Sequence, residues 1–175
     1  MTMLCVALLI AHTGFQPVEY RETLNALKNA GIAVRTLSNK PGYATDIDGN
    51  TVKVDEVIDN YDIETCRGFF IIGGPGTLEN LDTPIVHEKL KKIRKAGIAL
   101  GGICLGPRVA INAGVCKGIK ITGWDGDGVL DDLAEAGGAK YVRSESVVRD
   151  GNIVTASGPK AAKKFGEMIV KVLLR

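Results

Sequence analysis

Gly102-Ile103-Cys104-Leu105-Gly106 sets a cysteine between glycines, after the apolar run Ile98-Ala99-Leu100 and before the helical pattern Arg108-Val109-Ala110-Ile111-Asn112-Ala113. That order reads as strand, sharp turn and helix with a thiol at the apex. It has the form of a nucleophile elbow, with sulfur in place of the usual serine oxygen. The flanking glycines let the backbone bend tightly at little steric cost. A thiol at a helix N-terminus meets free N–H groups and the positive end of the helix dipole, both of which favour thiolate. Cys104 is therefore expected to be a nucleophile or a redox centre.

Few other residues have the types to assist it. Glu19 falls in the first turn of the first helix. There an acid can simply complement the dipole, worth ~0.3–1 kcal/mol. Alternatively its carboxyl meets Cys104, where desolvation would raise its pKa and let the protonated form donate to a thiolate. Gly73 and Gly74 end a buried strand and could offer backbone N–H groups to an oxyanion, together with that of Leu105. Gly73-Gly74-Pro75-Gly76 lacks the G-x-G-x-x-G spacing, so no dinucleotide is expected. His12 and His87 are the only histidines. His87 lies in a charged helical pattern and reads as solvated. His12 follows the first strand, near the expected site, and is a candidate pocket residue. Cys5, Cys66, Cys104 and Cys116 show no C-x-x-C pair and no metal-ligand spacing, so no metal is expected. Cys5, Cys66 and Cys116 read as reduced packing residues of a cytoplasmic protein.

The elements that must position these residues follow from the apolar pattern. Leu4–Ile10, Ile32–Leu37, Phe69–Ile72 and the run before Cys104 read as strands, the first buried on both faces. Pro17 and Pro84 open helices that end near Gly31 and Gly97. Asp48-Gly49 and Asp150-Gly151 join hairpins, and Val129–Ala136 reads as a short helix. Phe165, Met168, Ile169 and Val172 mark one face of a closing helix over 161–174. Strands alternating with helices imply an α/β fold with a mostly parallel central sheet. Ligands in such folds bind beyond the carboxyl ends of the strands. The turn from His12 to Glu19, the glycine loop at Gly73 and the elbow should meet there.

With 175 residues, and no repeat or linker, one domain over 1–175 is expected. The net charge is only +2 and no basic run is interleaved with aromatics, so no nucleic-acid partner is implied. The apolar N-terminal run lacks the basic residues of a secretory signal and is too short to span a bilayer, so no membrane partner is implied either.

Certain pieces look familiar in order and spacing. They are Ala30-Gly31-Ile32-Ala33-Val34, Gly73-Gly74-Pro75-Gly76 with Glu79-Asn80-Leu81, Ile103-Cys104-Leu105-Gly106-Pro107, and Asp150 through Pro159. Through them the whole chain resembles the ThiJ/PfpI superfamily, nearest the branch of the parkinsonism-associated protein deglycase. The resemblance implies a flavodoxin-like three-layer sandwich and a homodimer, with Cys104 as nucleophile and Glu19 as the glutamate that hydrogen-bonds it. No cofactor is expected. The activity it implies is a glyoxalase or deglycase type, acting on small reactive aldehydes such as methylglyoxal or on glycated protein. The alternative is a non-enzymatic sensor of oxidative stress, or a chaperone, working through Cys104 oxidation. Intracellular peptidase activity is a minor alternative, because Leu105 stands where the protease-like members place a histidine. Trp124 stands where the deglycase branch has a pocket histidine, and Gln16 replaces an adjacent glutamate. Trp124 cannot move protons at neutral pH, so acid–base work would fall to Glu19 alone. The elbow also resembles that of glutamine amidotransferases, but their His-x-Glu pair has no counterpart, since no histidine follows His87.

Overall fold

The structure, a computed structural model, describes residues 4–175, so the first three residues of the apolar N-terminal run lie outside it. The chain begins with β1 (Cys5–Ile10), β2 (Thr13–Phe15), α1 (Pro17–Asn29) and β3 (Ala33–Ser38). A hairpin of β4 (Tyr43–Asp46) and β5 (Thr51–Lys53) follows, then β6 (Glu56–Val57) and β7 (Gly68–Ile71). Next come α2 (Thr77–Leu81), α3 (Pro84–Lys95), β8 (Ala99–Ile103) and α4 (Gly106–Asn112). The last third holds β9 (Lys120–Ile121), α5 (Leu130–Ala136), β10 (Lys140–Tyr141), β11 (Val147–Asp150), β12 (Ile153–Ala156) and α6 (Ala162–Leu173).

Seven strands form the central sheet in the order β11-β12-β8-β7-β1-β3-β6. Every neighbouring pair is parallel except β11 with β12, which the Asp150-Gly151 turn makes antiparallel. β1 runs near the middle, and Val6 through Ala11 are fully buried, as expected for a strand covered on both faces. Helices flank the sheet on both sides. α1 and α6 pack so closely that a Cβ at Gly166 would lie 2.6 Å from that of Ala26. Phe165 and Ile169 carry the buried face of α6.

The expected strands and helices are present, with ends shifted by one or two residues. Two expectations fail. Cys5 and Cys66 are joined by a disulfide, with Cα atoms 4.6 Å apart, rather than packed as separate thiols. Cys5 opens β1 and Cys66 lies just before its neighbour β7, so parallel pairing brings together residues 61 apart in sequence. Nor is His87 fully solvated: its side chain is half-buried, and its Nε2 lies 2.6 Å from Asp82 Oδ1 at the head of α3.

Candidate active site

The three expected loops converge at the carboxyl ends of β1, β7 and β8. The amide of Gln16 donates to the carbonyl of Gly73 at 2.9 Å, and Gly76 donates to Gly14 at 3.0 Å. Gln16 also caps α1, its side-chain oxygen accepting from the amides of Val18 and Glu19. That cap fixes the first turn of the helix, and Glu19 with it.

Cys104 has φ of 60°, alone among the described non-glycine residues at positive φ. Its neighbours hold it there. Its amide donates to the carbonyl of Ala156 and its carbonyl accepts from the amide of Trp124, both at 2.9 Å. A strained backbone that is over-determined by its surroundings is typical of a nucleophile elbow.

Glu19 is completely buried. Its Oε2 accepts from the amide of Gly73 at 2.8 Å. The Cys104 thiol lies against the carboxyl, close enough for each to shift the other's pKa, yet Oε1 keeps no fully formed hydrogen bond. Burial raises the Glu19 pKa to about 7, against the smaller opposing effects of the Gly73 amide and the thiol. Near neutrality the carboxyl is thus divided between its two forms. The proton, when present, belongs on Oε1, because Oε2 is the acceptor for Gly73. Only glycine fits at 73: a Cβ would lie 2.5 Å from that of Cys104 and 2.7 Å from Glu19 Oε2.

The expectation of a free thiolate needs correction. Burial and the charge of Glu19 push the Cys104 thiol up to about 12. The amides of Leu105 and Gly74 pull the other way but do not prevail. Helix-end stabilisation is present, and desolvation outweighs it. The nearest acceptor for the sulfur's proton is the neighbouring carboxylate. The amide of Gly73, engaged by Glu19, is not free for an oxyanion. Those of Gly74 and Leu105 are the ones that reach the sulfur.

Above Cys104 is an apolar cavity of about 340 Å³ lined by Gln16, Gly74, Pro75, Leu105 and Trp124. His12 is not among its lining residues. The His12 ring lies 3.0 Å from the carbonyl of Pro41 and its amide donates to Asn39. Among the described residues, no three His, Cys, Asp or Glu side chains are grouped so as to hold a metal. One feature escaped the sequence reading. Arg108, on α4, is buried and forms a two-pronged ion pair with Asp127. The signal available was a lone arginine in the apolar run Val109-Ala110-Ile111, with nothing to say which carboxylate would meet it.

Among known proteins, the chain is 31% identical over 170 residues to a deglycase of Thermococcus kodakarensis, covering 95% of this chain and 98% of that protein. It is 27% identical over 158 residues to a glutathione-independent glyoxalase of Caenorhabditis elegans, covering 90% and 82%. A solved ThiJ/PfpI domain protein from Brachyspira murdochii superposes with a TM-score of 0.92 at 26% identity, over 99% of this chain and 98% of that one. The sequence profile of the DJ-1/PfpI family matches residues 5–172. With nearly every residue from β1 to α6 inside that match, the chain belongs to the DJ-1/PfpI family.

Proposed function

We propose that the protein consumes small reactive carbonyls, methylglyoxal among them, through Cys104 and Glu19. The observation that carries this reading is the buried pairing of the Cys104 thiol with a carboxyl whose pKa is about 7. A group titrating near the working pH can both take and return a proton. As Cys104 Sγ attacks the aldehyde carbon, ionised Glu19 takes the thiol proton and passes it to the carbonyl oxygen. A C–S bond forms, the C=O bond becomes C–OH, and the product is a hemithioacetal. Glu19 can then remove the proton on that carbon and return it to the adjacent carbon, while the hydroxyl proton moves to the former ketone oxygen. The result is a thioester that water cleaves, releasing lactate and the thiol. Overall, methylglyoxal and one water give lactate, with no external oxidant. Relatives named deglycase and glyoxalase support this reaction class, and the same addition to a glycated protein would serve repair. The reading sets the protein in the cytoplasm, where metabolic carbonyls arise.

The expected result is slow methylglyoxal consumption with lactate formed one for one, lost in Cys104→Ala and in Glu19→Ala. The rate constant kcat/KM should rise with pH through about 7, since the pair titrates as one unit. A wild type no faster than Cys104→Ala would defeat the reading. It would leave peroxide sensing, in which the thiol and two peroxides give a sulfinic acid and two waters. The orphan Oε1 of Glu19 and the amides of Gly74 and Leu105 favour that second reading, since all three could bind sulfinate oxygens. Its mark is two added oxygens on Cys104 and none on Cys116.

A further inference from the structure

Trp124 covers the Cys104 cavity, yet the residue is 39% exposed and lies on a stretch of chain between β9 and α5 that has no regular structure of its own. Something other than core packing has to hold it. Its amide is tied to the carbonyl of Cys104. Its ring lies folded over Gly126, where any Cβ would strike it. Its third support is Arg108. The guanidinium donates through Nη2 to the carbonyl of Trp124 at 3.0 Å, and its carbon sits 5.4 Å from the ring centroid. Nη1 and Nη2 reach Asp127 Oδ2 and Oδ1 at 2.9 and 2.6 Å. Asp127 in turn accepts from the amide of Val129, just before α5.

We propose that Arg108 and Asp127 are positioning residues, a clasp that sets the place of Trp124 over Cys104 and so the fit of the carbonyl substrate. The physical case rests on the buried charge. A buried guanidinium needs a partner, and Asp127 supplies it in the planar, two-pronged geometry that a lysine could not match. Because Arg108 is anchored in the elbow helix, that one side chain references the ring to the same element that carries the thiol. Asp127 is the half-exposed partner, so Asp127→Asn keeps the shape of the side chain while withdrawing the charge from the buried guanidinium, and the variant is first checked for its fold by circular dichroism. The kinetic part of the proposal rests on the carbonyl reading above. The positional part does not.

The chain has a single tryptophan, so its fluorescence reports on Trp124 alone. In Asp127→Asn, acrylamide should quench that emission about twice as strongly as in wild type, and iodoacetamide should alkylate Cys104 several-fold faster, because a loosened ring shields the thiol less. Methylglyoxal KM should rise about fivefold to twentyfold with kcat changed less than about twofold, the pattern of lost substrate binding. In a Trp124→Ala background, Asp127→Asn should add nothing further to KM, because the ring through which the clasp acts is gone. Arg108→Lys, if folded by circular dichroism, should behave like Asp127→Asn rather than like wild type. Unchanged quenching and alkylation in folded Asp127→Asn would overturn the clasp. If wild type shows no Cys104-dependent turnover, the carbonyl reading falls, while quenching and alkylation still decide the position of Trp124.

Discussion

Glu19, the proposed acid–base group, also carries a stability signature. An acid with a higher pKa folded than unfolded holds its proton more tightly in the native state. As pH rises from about 4.5 through about 7 the native protein must surrender that proton at a cost, and stability falls. The difference between those two values corresponds to about 3 kcal/mol. Glu19→Gln has no such proton to lose. The unfolding free energy of wild type minus that of Glu19→Gln should therefore drop by about 3 kcal/mol between pH 4.5 and pH 8, measured by urea titration. A difference that stays flat with pH would mean that the carboxyl titrates as an exposed one does. Cys104 and Gly74 could be picked out from their residue types and the local turn. Glu19 could not be separated from an ordinary dipole-complementing acid until the resemblance was added, because nothing in its immediate sequence tells that Gly73 and Cys104 will close over it.

At the scale of elements, the strands around the site were legible because a parallel sheet buried on both faces writes continuous apolar runs, as in Val6–Ala11 and Phe69–Ile72. Less legible were β2 and α2, at three and five residues; β2 is held by pairing with Thr45 of β4 and by the amide of Gly76, both from distant chain. The β4–β5 hairpin was expected, but not what it leaves uncovered. Tyr43 is 63% and Ile47 48% exposed, and between the hairpin and α1 lies a cavity of about 330 Å³ lined by Phe15, Pro17, Tyr20, Leu24 and Val52 and rimmed by the polar Arg21, Asp46, Asp48 and Asn50. Exposed apolar surface of this kind is where a second copy would bind. The homodimer implied by the family resemblance is proposed to use this face. Light scattering should give twice the chain mass for wild type and the single mass for Tyr43→Lys with Ile47→Lys. A monomeric wild type at micromolar concentration would remove the proposal.

For the molecule as a whole, two sulfur environments stand at opposite ends of the sheet. The Cys5–Cys66 bridge closes the end where β1 and β7 begin, and the Cys104 thiol sits where they finish. Denatured without reductant the chain should titrate two thiols, Cys104 and Cys116, and after reduction four. Four without reductant would show the bridge open in the protein as isolated. Spacing could not foresee this pair, since 61 residues separate the partners and only the register of β1 against β7 joins them. No helix among the described residues is long and apolar enough to cross a membrane. The positive φ at Cys104 has a consequence at this scale. A non-glycine residue in that conformation costs ~1–3 kcal/mol, which the rest of the fold must supply. Glycine at 104 would suit the turn better but would remove the thiol that the proposed reaction needs. Folding and the proposed chemistry therefore pull this one position in opposite directions, and selection for thermal robustness alone would discard the sulfur.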